Sequence, residues 1–175
     1  TPTGKIELAP ELLVEDCERL RAGLEEMPKQ LLLIGRRHLR SNNSWMHHIP
    51  KLVTGKPRCT LLVNSADAER LGLADGGDST LKTHVASAEA TVEVTDDIMP
   101  GVVSLPHGWG HTFEDTRMNT ARAHAGVNTN ALIDDTKLDR PSGNAILNGV
   151  PIEVGPSTSG GSEREREAVA AKSHQ

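Results

Sequence analysis

The chain has 175 residues, a formal net charge of −5, 16 glycines, 10 prolines and three aromatic side chains, Trp45, Trp109 and Phe113. That length suits one domain with tails, and its core must be aliphatic. The composition argues against three classes: nucleic-acid binders, which need basic charge and stacking aromatics; disulfide-stapled domains, since Cys17 and Cys59 are far apart in apolar contexts; and membrane-spanning proteins, since no stretch is long and apolar enough.

Lys5 to Leu8 reads as a short strand stopped at Pro10. Glu11 to Met27 is expected to be a helix, because Leu13, Cys17, Leu20, Leu24 and Met27 fall three and four apart on one face. Residues 1–29 are expected to pack on the domain that follows. Gln30 to Ile34 reads as a buried strand, and the loop after it, Gly35 to His48, is dense in Arg, Asn, Ser and His. No acidic residue occurs between Glu26 and Asp67, whereas Lys29, Arg36, Arg37, Arg40, Lys51, Lys56 and Arg58 lie in that interval. A positive interval in an acidic chain suits an anionic ligand, because guanidinium forks and Asn or Ser donors match phosphate oxygens. The plain alternative is a solvated basic loop.

Trp45 to Val53 is expected to be a short helix interrupted by Pro50, and Arg58 to Asn64 a second buried strand. Ser65 is expected to cap a helix ending at Leu71, with Asp67 and Glu69 complementing its dipole. Gly72 to Asp78 turns the chain into a hairpin of Thr80–Val85 and Ala90–Val94, where apolar residues alternate. Asp96 to Gly101 is another turn, Val102 to Leu105 a strand and Pro106 to His111 a small rigid loop. Phe113 to Ala125 carries no clear signal, and Gly126 to Asp135 reads as an irregular loop. A last strand, Val150 to Val154, follows the Asn148-Gly149 turn. The barrel domain is expected to span 30–155, with 156–175 a disordered tail rich in Ser, Gly, Glu and Arg. Short strands between turns, with few helices, favour a small barrel over alternating strands and helices.

Four segments carry a resemblance: Leu31 to Trp45, Asn64 to Gly76, Val92 to Trp109 and Val127 to Asp134. In this order they resemble the C-terminal domain of molybdopterin oxidoreductases, the relatives of formate dehydrogenase, nitrate reductase and dimethyl sulfoxide reductase. The resemblance runs from about Gly4 to Val154. It implies a mainly β fold, a six-stranded double-psi β-barrel with peripheral helices. It also implies a cofactor, molybdopterin guanine dinucleotide carrying Mo or W. One departure is Gly76-Gly77-Asp78-Ser79-Thr80-Leu81, weaker in β-formers than the family's usual strand, so a looser or shifted hairpin is expected there.

The resemblance sets the first loop against the dinucleotide. Arg36, His38, Arg40, Ser41, Asn42, Asn43, Ser44, Trp45 and His47 are the candidate contacts there. Arg and Ser suit the pyrophosphate, and the Asn amides suit base or ribose. Arg37 and Lys51 are left to a diffuse field, and Trp45 could equally plug the barrel mouth. The second loop offers His107, Gly108 and Trp109, its glycines allowing close backbone approach to a flat ligand. The third offers Asn128 and Asn130, whose alternative is an Asx-turn that satisfies its own backbone. A zinc site is not expected: His107 and His111 are separated by a Gly-Trp-Gly turn, and no cysteine joins them.

No nucleophile motif occurs, so no catalytic residue is expected and the chain by itself should catalyse nothing. The expected role is cofactor binding for a parent oxidoreductase, with its other domains or subunits as partners. Thr1 in place of Met suggests a piece of something longer, and with no leader segment the expected compartment is cytoplasmic. The competing class is a double-psi barrel that serves as a protein-interaction module without cofactor.

Overall fold

The computed structural model describes residues 2–25, 29–113, 115 and 117–157. Glu26, Met27, the expected end of the first helix, and the tail from 158 lie outside the described residues. Six strands close into one barrel: β1 (Leu31–Arg36), β2 (Thr60–Val63), β3 (Asp78–Lys82), β4 (Ser87–Val94), β5 (Val102–Pro106) and β6 (Val150–Pro156), in the order β1-β5-β2-β4-β3-β6. The β1–β5 and β2–β4 pairs are parallel, and the other four are antiparallel.

Closure removes the sheet edges that would otherwise invite pairing with another chain. The connection β1→β2 passes over β5, and β4→β5 passes over β2. Exchanging β1, β2 and β3 with β4, β5 and β6 leaves both the strand order and the pairing directions unchanged. Two interlocked crossings of this kind make the fold a double-psi β-barrel.

Alternation fills the interior. Leu31 and Leu33 of β1, Leu61 and Val63 of β2, Leu81 of β3, Val92 of β4, Val103 and Leu105 of β5, and Val150, Ile152 and Val154 of β6 are all buried. The core is aliphatic, in keeping with a chain so poor in aromatics. Ser79, fully buried, donates its hydroxyl to the Ala90 carbonyl across the hairpin at 2.8 Å, so its polar group costs little.

Several local expectations are corrected. Lys5 to Leu8 forms no strand. The helix α1 (Glu11–Glu25) forms but buries no residue, and Leu13, Leu20 and Leu24 of its apolar face stay exposed. Its Asp16–Arg19 ion pair lies near Asp139 and Arg140. Pro50 does not interrupt a helix. It opens the short α2 (Pro50–Val53) at the first turn, where a missing N–H is harmless. Asn64 rather than Ser65 caps α3 (Ser65–Leu71), accepting from the Ala66 N–H at 3.0 Å.

The glycine-rich departure does not loosen the hairpin. β3 pairs with β4 over five residues from Asp78–Thr91 to Lys82–Ser87, and the Gly76 and Gly77 backbone bonds Val92. A short α4 (Asn119–Ala123) and a 3-10 turn (Thr129–Leu132) occupy segments without a clear sequence signal. No helix among the described residues is long and apolar enough to cross a membrane.

Candidate functional site

β1 and β5 run parallel, so their C-terminal ends release the first and second loops side by side. The His107 N–H donates to the Arg36 carbonyl at 2.9 Å and fixes that junction. The third loop is tied to the second: Gly110 and His111 N–H groups donate to Ala125 O, and the Thr129 hydroxyl to Pro106 O.

Two glycines make the approach possible. A Cβ on Gly108 would stand 2.0 Å from the Asn43 carbonyl oxygen, and one on Gly110 2.4 Å from the Asn128 Cβ. Asn42 and Asn43 complete the first loop with φ of 42° and 60°, the left-handed region that Asn tolerates better than most residues.

Between these loops lies a cleft of about 300 Å³ lined by Asn43, Ser44, His107, Gly108, Trp109, His111, Asn128, Thr129 and Asn130. None of these side chains is Lys, Arg, Asp or Glu. The lining is amide, hydroxyl, imidazole and indole, which suits the edge of a neutral polar ring. The Trp109 Nε1–H is buried without a hydrogen-bond partner, an orphan donor on a residue of the lining. A second cavity, about 260 Å³, shares His107, Thr129 and Asn130 and adds Arg36, Arg37, Ile133, Leu147 and Asn148. Two arginines, Arg36 and Arg37, thus line the cavity beside the uncharged cleft.

Seven of the residues expected from sequence line the cleft: Asn43, Ser44, His107, Gly108, Trp109, Asn128 and Asn130. The others sit differently. Arg36 reaches the second cavity, but its guanidinium is committed: it donates to Ser104 O at 2.5 Å, Thr60 O at 2.7 Å and Thr60 Oγ1 at 3.0 Å. Burial pushes its pKa down, with Glu93 opposing. Arg36 therefore braces β1, β5 and β2 together rather than waiting free for a phosphate. Ser41 is buried, while Arg40, Asn42 and Trp45 are exposed away from the cleft, Trp45 by 74%. His38 accepts the Arg40 N–H through Nδ1, and burial and three arginines push its pKa down.

His47 is only 1% exposed and lies behind the lining. Its ring stacks on Trp109 at 3.9 Å between centroids, and its Nδ1 lies 2.8 Å from His111 Nε2. Burial, then neighbouring imidazoles, push His47 down to about 4, and burial pushes His111 down as well, so both are neutral at pH 7. No cluster of three or more metal-ligating side chains occurs among the described residues.

Sequence reasoning missed His111, Thr129 and Asn148 and undervalued Arg37. His111 was legible only as the second imidazole of a His-Gly-Trp-Gly-His run. Asn148 left no signal beyond a turn, yet its Oδ1 accepts the Gly35 N–H at 2.8 Å.

A wider cavity, about 580 Å³, lies elsewhere, against β3, β6 and residues 134–149. It shares no residue with the cleft, and its charges are mixed: Lys82, His84, Asp134, Lys137 and Glu153. There Asp134 is held down to about 2, first by the Thr136 hydroxyl and N–H and then by His84.

Comparison with known proteins shows the family and the fold. Residues 31–151 match the family described as Molydopterin dinucleotide binding domain. A stretch of 123 residues is 29% identical to one of the subunits of tetrathionate reductase from Salmonella typhimurium, covering 61% of this chain and 12% of that protein. The fold is similar to that of acetylene hydratase from Pelobacter acetylenicus, with a TM-score of 0.60 at 20% identity, covering 87% of this chain and 21% of that one. The chain thus spans a minor part of each relative's length.

Proposed function

Because the chain belongs to the Molydopterin dinucleotide binding domain family, we propose that its loops hold molybdopterin guanine dinucleotide and orient it within a larger molybdenum or tungsten oxidoreductase. The metal carried by the pterin supplies the redox chemistry; this chain supplies binding and orientation. The observation that carries the reading is the pairing of two cavities along one ridge. The uncharged cleft of Asn43, His107, Trp109 and Asn128 suits a heteroaromatic ring, and the neighbouring cavity with Arg37 and Asn148 suits the phosphate-bearing part.

The ring's edge would find the Asn43, Asn128 and Asn130 amides, while Gly108 and Gly110 let the three loops close up around it. The remaining domains or subunits of the parent would complete the site. Exposed Leu39 and Trp45 on the first loop, and the open stripe of α1, are the surfaces they would cover.

The test is an amide-resolved NMR titration with GDP against ADP at fixed salt. Shifts at Asn43, Ser44, Gly108, Asn128 and Asn130 that favour GDP are expected. Equal, diffuse shifts with both nucleotides would reduce the loops to a general anion patch. No shift with either would turn the assignment toward a protein-interaction module.

A further inference from the structure

The imidazole pair at the back of the cleft has a chemical direction. His111 lines the cleft, and His47 does not. One nitrogen of His111, Nε2, is engaged with His47 Nδ1 at 2.8 Å; the rings meet edge to face, 86° apart. The other nitrogen of His47, Nε2, is buried without a partner. Nδ1 of His111 is not among the buried unpartnered atoms, and no side chain or backbone group is bonded to it in the described residues.

One proton lies between the two rings, and it can belong to either. If it belonged to His111 Nε2, neutral His47 would carry its own proton on Nε2, as a buried N–H with no acceptor. If it belongs to His47 Nδ1, the sealed Nε2 is a bare lone pair. A buried N–H without an acceptor is the rarer and costlier defect. The stack already contains one, at Trp109 Nε1. The proton therefore resides on His47 Nδ1 and is donated to His111 Nε2. Neutral His111 must then carry its proton on Nδ1, the nitrogen without a partner among the described residues, on a ring that belongs to the lining of the cleft.

We propose that His47 is a positioning residue that fixes His111 as a hydrogen-bond donor toward the cleft, so that the bound ring must offer an acceptor there, a ring nitrogen or carbonyl oxygen. The inference rests on the reading of the cleft as a site for a heteroaromatic ring, and it deepens that reading by assigning a polarity to one of its edges. Trp109 Nε1–H is sealed from solvent, so the donor that the back of the cleft offers a ligand is His111 Nδ1–H. A ring edge that presents N–H groups there would meet N–H opposed to N–H, which costs the unpaired group its hydration.

The test needs no catalysis. In the full 15N-labelled chain at pH 7.5, long-range proton–nitrogen correlation of the imidazole rings reads each tautomer directly. Both His47 and His111 are expected as Nδ1–H, against the preference of a free neutral imidazole for Nε2–H. In His47→Phe, and separately in His47→Leu, His111 is expected to revert to Nε2–H. Finding His111 already as Nε2–H in the unaltered chain overturns the proposal, whatever the variants do.

Pterin itself (2-amino-4-oxopteridine) then serves as the ligand probe. Binding seen at the Asn43 and Asn128 amides is expected to move the His111 Nδ1–H resonance downfield. The same amide shifts with that resonance unmoved would overturn the donor role. Absence of amide shifts with both pterin and GDP is instead a failure of the cleft reading, and the tautomer result is decided separately.

Discussion

Alanine at position 108 separates close approach from ordinary glycine strain. The backbone there has φ +96°, and the added Cβ would lie 2.0 Å from the Asn43 carbonyl oxygen and 2.5 Å from its carbon. Both obstructing atoms are backbone, so no side chain can swing aside; the first and second loops must part. The positive φ costs about 1–2 kcal/mol, and forcing the packed loops apart adds about 1–3 kcal/mol.

Gly72 supplies the control. It ends α3 with φ +67°, its N–H bonding Ala68 and Glu69 carbonyls, and nothing lies within 4 Å of its would-be Cβ. Gly72→Ala should therefore cost about 1 kcal/mol, the strain alone. Urea unfolding of the two variants, compared through their midpoints at unchanged slope, is expected to show Gly108→Ala less stable by about 2 kcal/mol. GDP-induced shifts should also be lost in Gly108→Ala and kept in Gly72→Ala. Equal destabilisation of the two would refute the close approach of Asn43 to Gly108, and with it the geometry of the cleft.

Other outcomes follow from single residues. Arg36→Met is expected to lower stability by about 2–4 kcal/mol, because it strands the Ser104 and Thr60 acceptors that the guanidinium joins. Arg40→Met should change stability by less than about 0.5 kcal/mol, since Arg40 is exposed and only its backbone is bonded to His38. Urea unfolding of the pair decides whether Arg36 is a brace; unchanged stability in Arg36→Met would show that it is not. His47, at about 4 when folded and 6.5 when free, links stability to pH. Above pH 6.5 both states hold it neutral. As pH falls from 6.5 to 4 the unfolded chain takes the proton first, so stability drops, by about 3 kcal/mol at pH 4. That part of the slope should vanish in His47→Phe, and a persistent slope would assign it to other groups. Acrylamide should quench the two indoles unequally, Trp45 at 74% exposure strongly and Trp109 at 9% weakly. Equal quenching would mean that the second loop opens freely in solution.

What could be read from sequence was what local pattern determines. The apolar runs at Leu31, Leu61 and Val102 each became a barrel strand, β1 burying alternate residues and β2 and β5 burying almost every residue, as short apolar runs bounded by turns suggest. The loops that share the cleft also announced themselves by side-chain chemistry, Asn43 and Ser44 on one, His107 to Trp109 on the next, Asn128 and Asn130 on the third. Direction was not legible. A strand's pattern does not say whether an arginine at its end turns outward to a ligand or inward to carbonyls, and Arg36 turns inward to bond Ser104 O and Thr60 O. Nor could pattern show which of two histidines stands in front. His47 and His111 are 64 residues apart, and only the packing of Trp109 between the loops orders them. The stripe on α1 has a related limit: periodicity reveals an apolar face without saying what covers it.

The barrel's internal symmetry sharpens the assignment of the site to one half. The connections β1→β2 and β4→β5 occupy equivalent positions in the two interlocked crossings. The second, residues 95–101, is short and bonded to the barrel: Thr95 N–H donates to Val63 O, Ser65 Oγ to Asp96 Oδ1, Gly101 N–H to Asp67 Oδ2 and Asn64 Nδ2 to Ile98 O. Asp96 and Asp97 make it negative. Its counterpart, residues 37–59, is long and carries Arg37, Arg40, Lys51, Lys56 and Arg58 with no carboxylate. Both connections are held by hydrogen bonds, and within the basic one Lys56 pairs with Glu93 and Arg58 bonds the Leu52 and Thr54 carbonyls, so the two differ chiefly in length and charge. An anionic dinucleotide would be repelled by the Asp96–Asp97 turn and attracted by the basic one. On the proposed function, charge would then orient the dinucleotide over the barrel before any ring enters the uncharged cleft.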